Sequence, residues 1–233
     1  MQFTITHWGC TPSGDSIYLF RLTNATGASI ELTNLGPPGF RPICRTDTTS
    51  LKTFCWDMTM QKDSQRHLLY GSHCRPVCQP HSSGILFYRR HYLSAGEKRR
   101  ENTNHGGLSG FHKKIWQWKR TDSGIRFLLH SPDMEGGYPG NVQAEVEYQF
   151  TETNELTISY HGTTDRPTYL NLTNHAYFNL SGDKRKITEH ELMIPAARIL
   201  ETTSQFIPTD KHRMSKTVRL IQHLSQHRST SLR

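Results

Sequence analysis

From Val142 to Phe150 the chain reads Val-Gln-Ala-Glu-Val-Glu-Tyr-Gln-Phe, apolar and polar side chains alternating without a miss. Successive side chains of a strand point to opposite faces, so this period of two predicts a β-strand with one buried side. After the polar stretch Thr151–Asn154 the alternation resumes as Leu156-Thr157-Ile158-Ser159-Tyr160. Two such runs around a short polar loop predict an antiparallel hairpin. Further strands are expected at Ile17–Leu22, Ile30–Leu32, Ile125–Leu129, Tyr169–Leu172 and Glu191–Ile194. Between them stand the turn signals Thr23-Asn24, Asp122-Ser123-Gly124, Gly136-Gly137, Pro139-Gly140 and Ser181-Gly182-Asp183. These parts hold no amphipathic helical stripe of useful length. Short strands at this spacing predict an all-β sandwich or barrel.

Two other segments do not share this pattern. Residues 36–100 hold eleven Lys and Arg against four Asp and Glu, and residues 210–233 hold six against one. The formal net charge of +8 therefore belongs to these two segments, and the remainder is mildly acidic. Neither segment has a clear period. At best Val218, Ile221 and Leu224 form one weak helical stripe. Cys44, Cys55, Cys74 and Cys78 lie in the first of them, with only Cys10 outside. The odd count, and an opening Met1–Trp8 with neither a basic n-region nor an apolar h-region, predict reduced thiols and a cytoplasmic setting. No stretch approaches the roughly 18 consecutive apolar residues of a membrane span. With 233 residues the chain suffices for one large domain or two small ones.

The densest chemistry lies in Tyr169–Leu180, which holds one His, three Asn and three aromatic residues. Upstream, Asn102-Thr103-Asn104-His105-Gly106-Gly107 sets a His before a Gly pair that lets another group approach the backbone closely. Trp116, Trp118 and the loop Ser131–Gly140 come between them. Amides and imidazoles hydrogen-bond hydroxyls, and flat apolar faces cover the C–H side of a ring, so this mixture suits a sugar.

The same residues carry a family resemblance. Asn104-His105-Gly106-Gly107-Leu108-Ser109-Gly110-Phe111-His112-Lys113-Lys114-Ile115-Trp116 resembles the "NHGG…GF.K..W" stretch of the aldose 1-epimerases, the galactose mutarotases. Ser131-Pro132-Asp133 through Tyr138-Pro139-Gly140-Asn141 resembles their "SPD…EGYPG" loop, and Asn171–Leu180 resembles their "N.TNH.YFNL" motif. The segment from His190 to Ile207-Pro208-Thr209 ends where the family reads "IPTG". The three motifs stand in the right order; the resemblance covers residues 101–209 well and residues 1–35 as opening strands. It implies a large antiparallel β-sandwich, a single domain over 1–209 in which 36–100 does not match, and a basic tail over 210–233 outside the family.

The resemblance also implies interconversion of the α and β anomers of free aldohexoses such as galactose and glucose, without a cofactor. An acid protonates the ring oxygen while a base takes the C1 hydroxyl proton, the ring opens, and it recloses on the other face. His175 would be the acid, and His105, Asn104 and Tyr177 would contact the sugar. The implied partner is a small aldose, with neither nucleic acid nor membrane. The family's base is a Glu beyond the "IPTG" position, and this sequence has no acidic residue after Asp210. Glu189, Glu191 and Glu201 precede that point and cannot take the role. Counterparts of the family's C-terminal sugar-binding Asp and of its Arg in a "GR.ANRI"-like stretch are missing too. Arg75, Arg89 and Arg90 fall in the right region but not in that motif. The stretch from Gly36 to Glu101 is about as long as the family segment it replaces, and the resemblance resumes at Asn102. This is the pattern expected of a frame-disrupted, C-terminally truncated copy, and it makes a catalytically dead or degenerate sugar-binding relative the alternative to an active enzyme.

Three lesser patterns carry less. His73-Cys74-Arg75-Pro76-Val77-Cys78-Gln79-Pro80-His81 gathers two Cys and two His, but C-x3-C flanked by His is not a standard zinc spacing, and no metal is expected. Arg89-Arg90 and Lys98-Arg99-Arg100 have no nucleic-acid-binding pattern around them, so solvated charge explains them. Asn24-Ala25-Thr26 and Asn171-Leu172-Thr173 fit glycosylation acceptors by chance.

Overall fold

The computed structural model describes residues 1–36, 41–46, 50–53, 85–88, 91–94, 105–174, 176, 178–180, 190, 194, 196–204 and 207–214. The chain forms two compact units, Met1–Phe178 and Asn179–Arg233. The strands among the described residues of both are antiparallel, with three three-residue 3-10 turns and no α-helix among the described residues. No described helix is long and apolar enough to cross a membrane.

In the first unit, β1 (Gln2–Cys10), β2 (Ser16–Thr23), β3 (Ser29–Thr33), β4 (Arg41–Thr46) and β5 (Ser50–Thr53) form one sheet in that order. β6 (Ile85–Tyr88) and β7 (His91–Ser94) pair as a hairpin. The second large sheet has the order β11-β10-β9-β8, from β8 (Gln117–Arg120), β9 (Gly124–Ser131), β10 (Val142–Phe150) and β11 (Leu156–Thr164). The alternation in the sequence is the packing plan of these strands. Val142, Ala144, Val146, Tyr148 and Phe150 are all buried, as are Ile125, Phe127 and Leu129 on β9. They form one core with Phe20 and Leu22 of β2 and with Ile30 and Leu32 of β3. The two sheets meet through aromatic edges: Phe20 lies 5.7 Å from Phe127 in a T-shaped contact and 4.8 Å from Trp118. Two antiparallel sheets sharing a buried face make a β-sandwich.

The expected hairpin is present, with Phe150 opposite Leu156 and Val142 opposite Thr164. Its turn closes by hydrogen bonds from Thr151 N to Glu155 O (3.0 Å) and from Asn154 N to Thr151 O (3.2 Å). Across the sandwich, Asn24 ties this turn to the β2–β3 turn. Its buried side chain donates to Thr151 O (3.1 Å) and Asn154 Oδ1 (2.7 Å), and accepts from Thr26 N and Ala28 N, both at 3.1 Å. An amide so enclosed is not a glycosylation acceptor. A second tie joins the end of β3 to the stretch before β8: Trp116 N donates to Asn34 O (2.9 Å) and Gly36 N to Lys114 O (2.7 Å).

The expected strands at Ile17–Leu22, Ile30–Leu32 and Ile125–Leu129 fall inside β2, β3 and β9. The one expected at Tyr169–Leu172 does not form; those residues are irregular. Leu170 and Leu172 nevertheless pack on the core, so their alternation serves packing without a ladder. Leu170 occupies the space above Gly162, where a Cβ would meet its Cδ2 at 2.3 Å. Of Glu191–Ile194 only Ile194 is described, and it is irregular. The His73–His81 cluster, Arg89-Arg90, Lys98–Arg100, Ser181–Asp183 and the Val218–Leu224 stripe lie outside the described residues.

In the second unit β12 (Arg198–Thr202) pairs with β13 (Pro208–Met214), with an irregularity between Leu200 and Thr202. Thr203 N donates to Ile207 O (2.8 Å) to close their turn. Among the described residues of this unit none is buried. The periodicity of the sequence did not single out either strand.

Candidate functional site

His105 opens the stretch that precedes β8. It is 7% exposed and sits at φ 55, in the left-handed region that side chains with a Cβ rarely occupy. Gly106 and Gly107 follow at φ 76 and 69. Three successive left-handed residues fold the chain back tightly, and only the glycines do so without strain. The chain then returns on itself: a Cβ at Gly110 would lie 2.4 Å from His105 O and 2.5 Å from His112 Cε1. His112 is 1% exposed beneath this turn. The fold-back is anchored by Trp116, whose indole Nε1 donates to Phe111 O (3.2 Å) and whose ring meets Phe111 edge-on at 5.8 Å.

The loop between β9 and β10 packs on the same turn. It is stitched by its own polar side chains: Asp133 accepts from Gly140 N, and Asp133 N donates to Asn141 Oδ1 (3.1 Å). Asn141 in turn donates to Asp165 from its backbone (2.8 Å) and its side chain (2.6 Å), which holds the Asp165 carboxyl below the usual carboxylate range. Within the loop, Gly136 stands at φ 62, and a Cβ there would meet Ser109 Oγ at 2.6 Å and Gly106 O at 3.5 Å. Glu135, next to it, is bound by the Lys114 ammonium and the Ser131 hydroxyl.

Asn174 marks the third motif. Its side chain donates to Tyr148 Oη (3.3 Å) and accepts from Ala176 N (2.8 Å), so it joins this segment to the core strand β10. Burial pushes the Tyr148 phenol well above its ordinary value. Of the sequence-predicted site residues, His105 is placed in the folded-back turn; Asn104, His175 and Tyr177 lie outside the described residues. Trp116 presents no face to a ligand, being 1% exposed, and the half-buried Trp118 packs on Phe20 and Tyr18. The open groove of about 570 Å³ on the outward face of the β8–β11 sheet, lined by Gln117, His130, Gln143, Glu145 and His161 among others, does not include His105.

A family model described as aldose 1-epimerase matches residues 88–227, more than half of the chain. The chain belongs to the aldose 1-epimerase family. It is 41% identical over 110 residues to the aldose 1-epimerase of Escherichia coli (strain K12), a match covering 47% of this chain and 32% of that protein. To the galactose mutarotase of Homo sapiens it is 39% identical over 109 residues, covering 46% and 32%. The matched region thus spans about a third of the length of these curated relatives. In fold, the chain is similar to the galactose 1-epimerase from Lactobacillus acidophilus NCFM, with a TM-score of 0.76 at 18% identity over 91% of this chain and 63% of that one. An aldose epimerase homologue from C. elegans gives 0.78 at 23% identity over 85% and 61%. These two likenesses establish the galactose mutarotase-like β-sandwich.

Sequence motifs marked the His105 stretch and the Ser131–Asn141 loop in the aldose 1-epimerase pattern, but not the contacts that join them. Lys114 and Glu135 are twenty-one positions apart and carry no periodic signal. His112 and Tyr148 read as ordinary members of their segments. Their roles depend on which segments the sandwich brings together.

Proposed function

We propose that this chain binds free aldohexoses and serves the interconversion of their α and β anomers by acid–base ring opening. His105 donates to sugar hydroxyls, with Asn104 and Tyr177 as further contacts, and His175 gives its proton to the ring oxygen. As a base removes the C1 hydroxyl proton, the bond from C1 to the ring oxygen breaks and C1 becomes a carbonyl. Rotation about C1–C2 and the reverse transfers close the other anomer. Both groups exchange protons near neutral pH, a range in which imidazole works.

The observation that carries the reading is the strained, buried His105 turn, locked by the packing of the Ser131–Asn141 loop and lying within the stretch that matches the family. Backbone strain of this kind persists only where the surroundings impose it, and it concentrates at binding sites. A second reading is sugar binding without turnover. It is favoured by one feature of the sequence: residues 211–233 hold no Asp or Glu, so they do not supply the family's base. Polarimetric mutarotation of α-galactose with a parallel NMR binding titration separates the two. A rate above buffer that His175→Ala abolishes supports turnover, and binding without such a rate supports the second reading. The absence of both overturns the proposal.

A further inference from the structure

The geometry points to Glu135 as a positioning residue for His105, acting through the Gly136–Ser109 contact; this rests on His105 being a sugar-binding group. Glu135 is 15% exposed in its side chain, and its two carboxylate oxygens are divided between two segments. Oε1 pairs with the ammonium of Lys114, itself 25% exposed, on the stretch leading from the His105 turn into β8. Oε2 accepts from Ser131, a fully buried hydroxyl at the end of β9. A carboxylate held at both oxygens by groups on different segments is fixed in place and direction.

What it holds is the next residue. Gly136 lies so close to Ser109 Oγ and Gly106 O that a Cβ would stand 2.6 and 3.5 Å from them. Gly106 and Ser109 belong to the fold-back that begins at His105. That fold-back is pinned from its other side by Gly110, which is packed against His105 O and the His112 ring. A left-handed non-glycine residue costs of order 1–3 kcal/mol and relaxes when its surroundings loosen. Removing the charge from Glu135 frees Gly136 to retreat from Ser109, and the His105 turn then has room to relax. Glu135 touches the site only through this backbone contact.

The test is a double-mutant cycle on the full chain. Galactose affinity and the His105 imidazole resonance and its pH titration are both read by NMR at a temperature where each variant is folded. Glu135→Gln keeps the volume of the side chain and removes the ion pair. We expect it to weaken galactose binding by about three- to tenfold and to move the His105 resonance. In a His105→Ala background the same substitution should leave affinity unchanged. Lys114→Met, which removes the other half of the pair, should reproduce Glu135→Gln and serves in its place if that variant does not fold. Gly136→Ala, which pushes on the contact itself, should move the His105 resonance as well. An unmoved His105 resonance, or affinity losses that add in the double variant, overturns the role of Glu135. If wild type and His105→Ala do not differ in galactose binding while Glu135→Gln still shifts the His105 resonance, the sugar reading fails and the clamp stands.

Discussion

β10 and β11 lie side by side in one unbroken register and share one sequence pattern, yet they differ in what the pattern achieves. On β10 the inward row Val142, Ala144, Val146, Tyr148 and Phe150 is buried throughout, no member more than 4% exposed. On β11 the facing row is Thr164, Gly162, Tyr160, Ile158 and Leu156. Leu156 and Ile158 pack on the core, but Tyr160 is 39% exposed. Alternation determines that a segment is a strand and which side faces inward. Burial also needs a second layer, and here the cover ends between Ile158 and Tyr160. β10 is flanked by β9 and β11, whereas β11 has only β10 beside it among the described residues.

The sharpest way to break this comparison uses one chemical change at two places. Tyr148→Ala removes a fully buried ring that meets Phe127 edge-on at 6.2 Å and accepts from Asn174. The expected loss is about 3–5 kcal/mol, as for other large-to-small core changes. Tyr160→Ala, twelve residues on and across the same ladder, should cost at most about 1 kcal/mol, the range of a cross-strand pair. Urea unfolding of both variants checks this. Comparable losses would mean that the cover over β11 is as complete as that over β10.

A second pair adds atoms where the first removes them. Gly124 begins β9 against the backbone of β10, where a Cβ would lie 1.7 Å from Tyr148 O. Gly124→Ala must push two strands apart and should destabilise by about 1–3 kcal/mol or more. At Gly162 on β11 the added carbon meets only the end of the Leu170 side chain, at 2.3 Å. Leu170 can change rotamer, so Gly162→Ala should cost well under half as much. Thermal midpoints rank the two, since about 1 kcal/mol moves the midpoint of a chain of this size by some 2–4 °C. Equal midpoints would show that Leu170 is as immovable as backbone.

The difference between the strands also explains what was legible in the sequence. β10, β9, β2 and β3 were readable because their alternation records a burial that the fold delivers. Tyr169–Leu172 shows the same alternation without a ladder, since two leucines can plug a core from an irregular segment. β12 and β13 bury none of their described residues, so hydrophobic periodicity had nothing there to record. His105 was legible through its place before a Gly pair and through a family motif. Its φ of 55 and the Lys114–Glu135–Ser131 clamp arise from contacts between segments that no local pattern encodes. The sugar-facing role expected of Trp116 yielded to the core for a similar reason: a Trp beside a turn reads the same whether its ring faces a ligand or the interior.

The tie between the β2–β3 turn and the β10–β11 turn gives a smaller effect. Asn24 joins the β2–β3 turn to the β10–β11 turn through Thr151 O and Asn154 Oδ1 while capping its own turn at Thr26 N and Ala28 N. Asn24→Ala leaves those groups to find water and should cost about 1–3 kcal/mol, since Ala28 N is buried. Hydrogen exchange should show the loss first as faster exchange at Ala28 and Asn154, before β10 itself is affected. Uniform acceleration along β10 would mean that this tie sustains the whole sandwich.

The smallest expected effect lies on the outward side of the same strand. Glu147 of β10 faces Arg126 of β9, which donates to it at 2.6 Å and lies 3.1 Å from Glu145. Partial burial raises the Glu147 carboxyl, but hydrogen bonds from Arg126 and Gln149 and the charge of Arg126 outweigh this, and the net shift is downward. A carboxyl whose value falls on folding stabilises the native state above its unfolded value. That contribution disappears as pH falls through the folded value. Because Arg126 is 39% exposed, solvent screens the pair and its worth is at most about 1 kcal/mol. Glu147→Gln should therefore lower stability slightly at pH 7, and the gap to wild type should close as the pH drops below the ordinary glutamate value near 4.3. A gap that stays constant down to pH 3 would show that Glu147 stabilises β10 through packing and hydrogen bonding that the amide also lacks, and that its charge contributes nothing to the outward face.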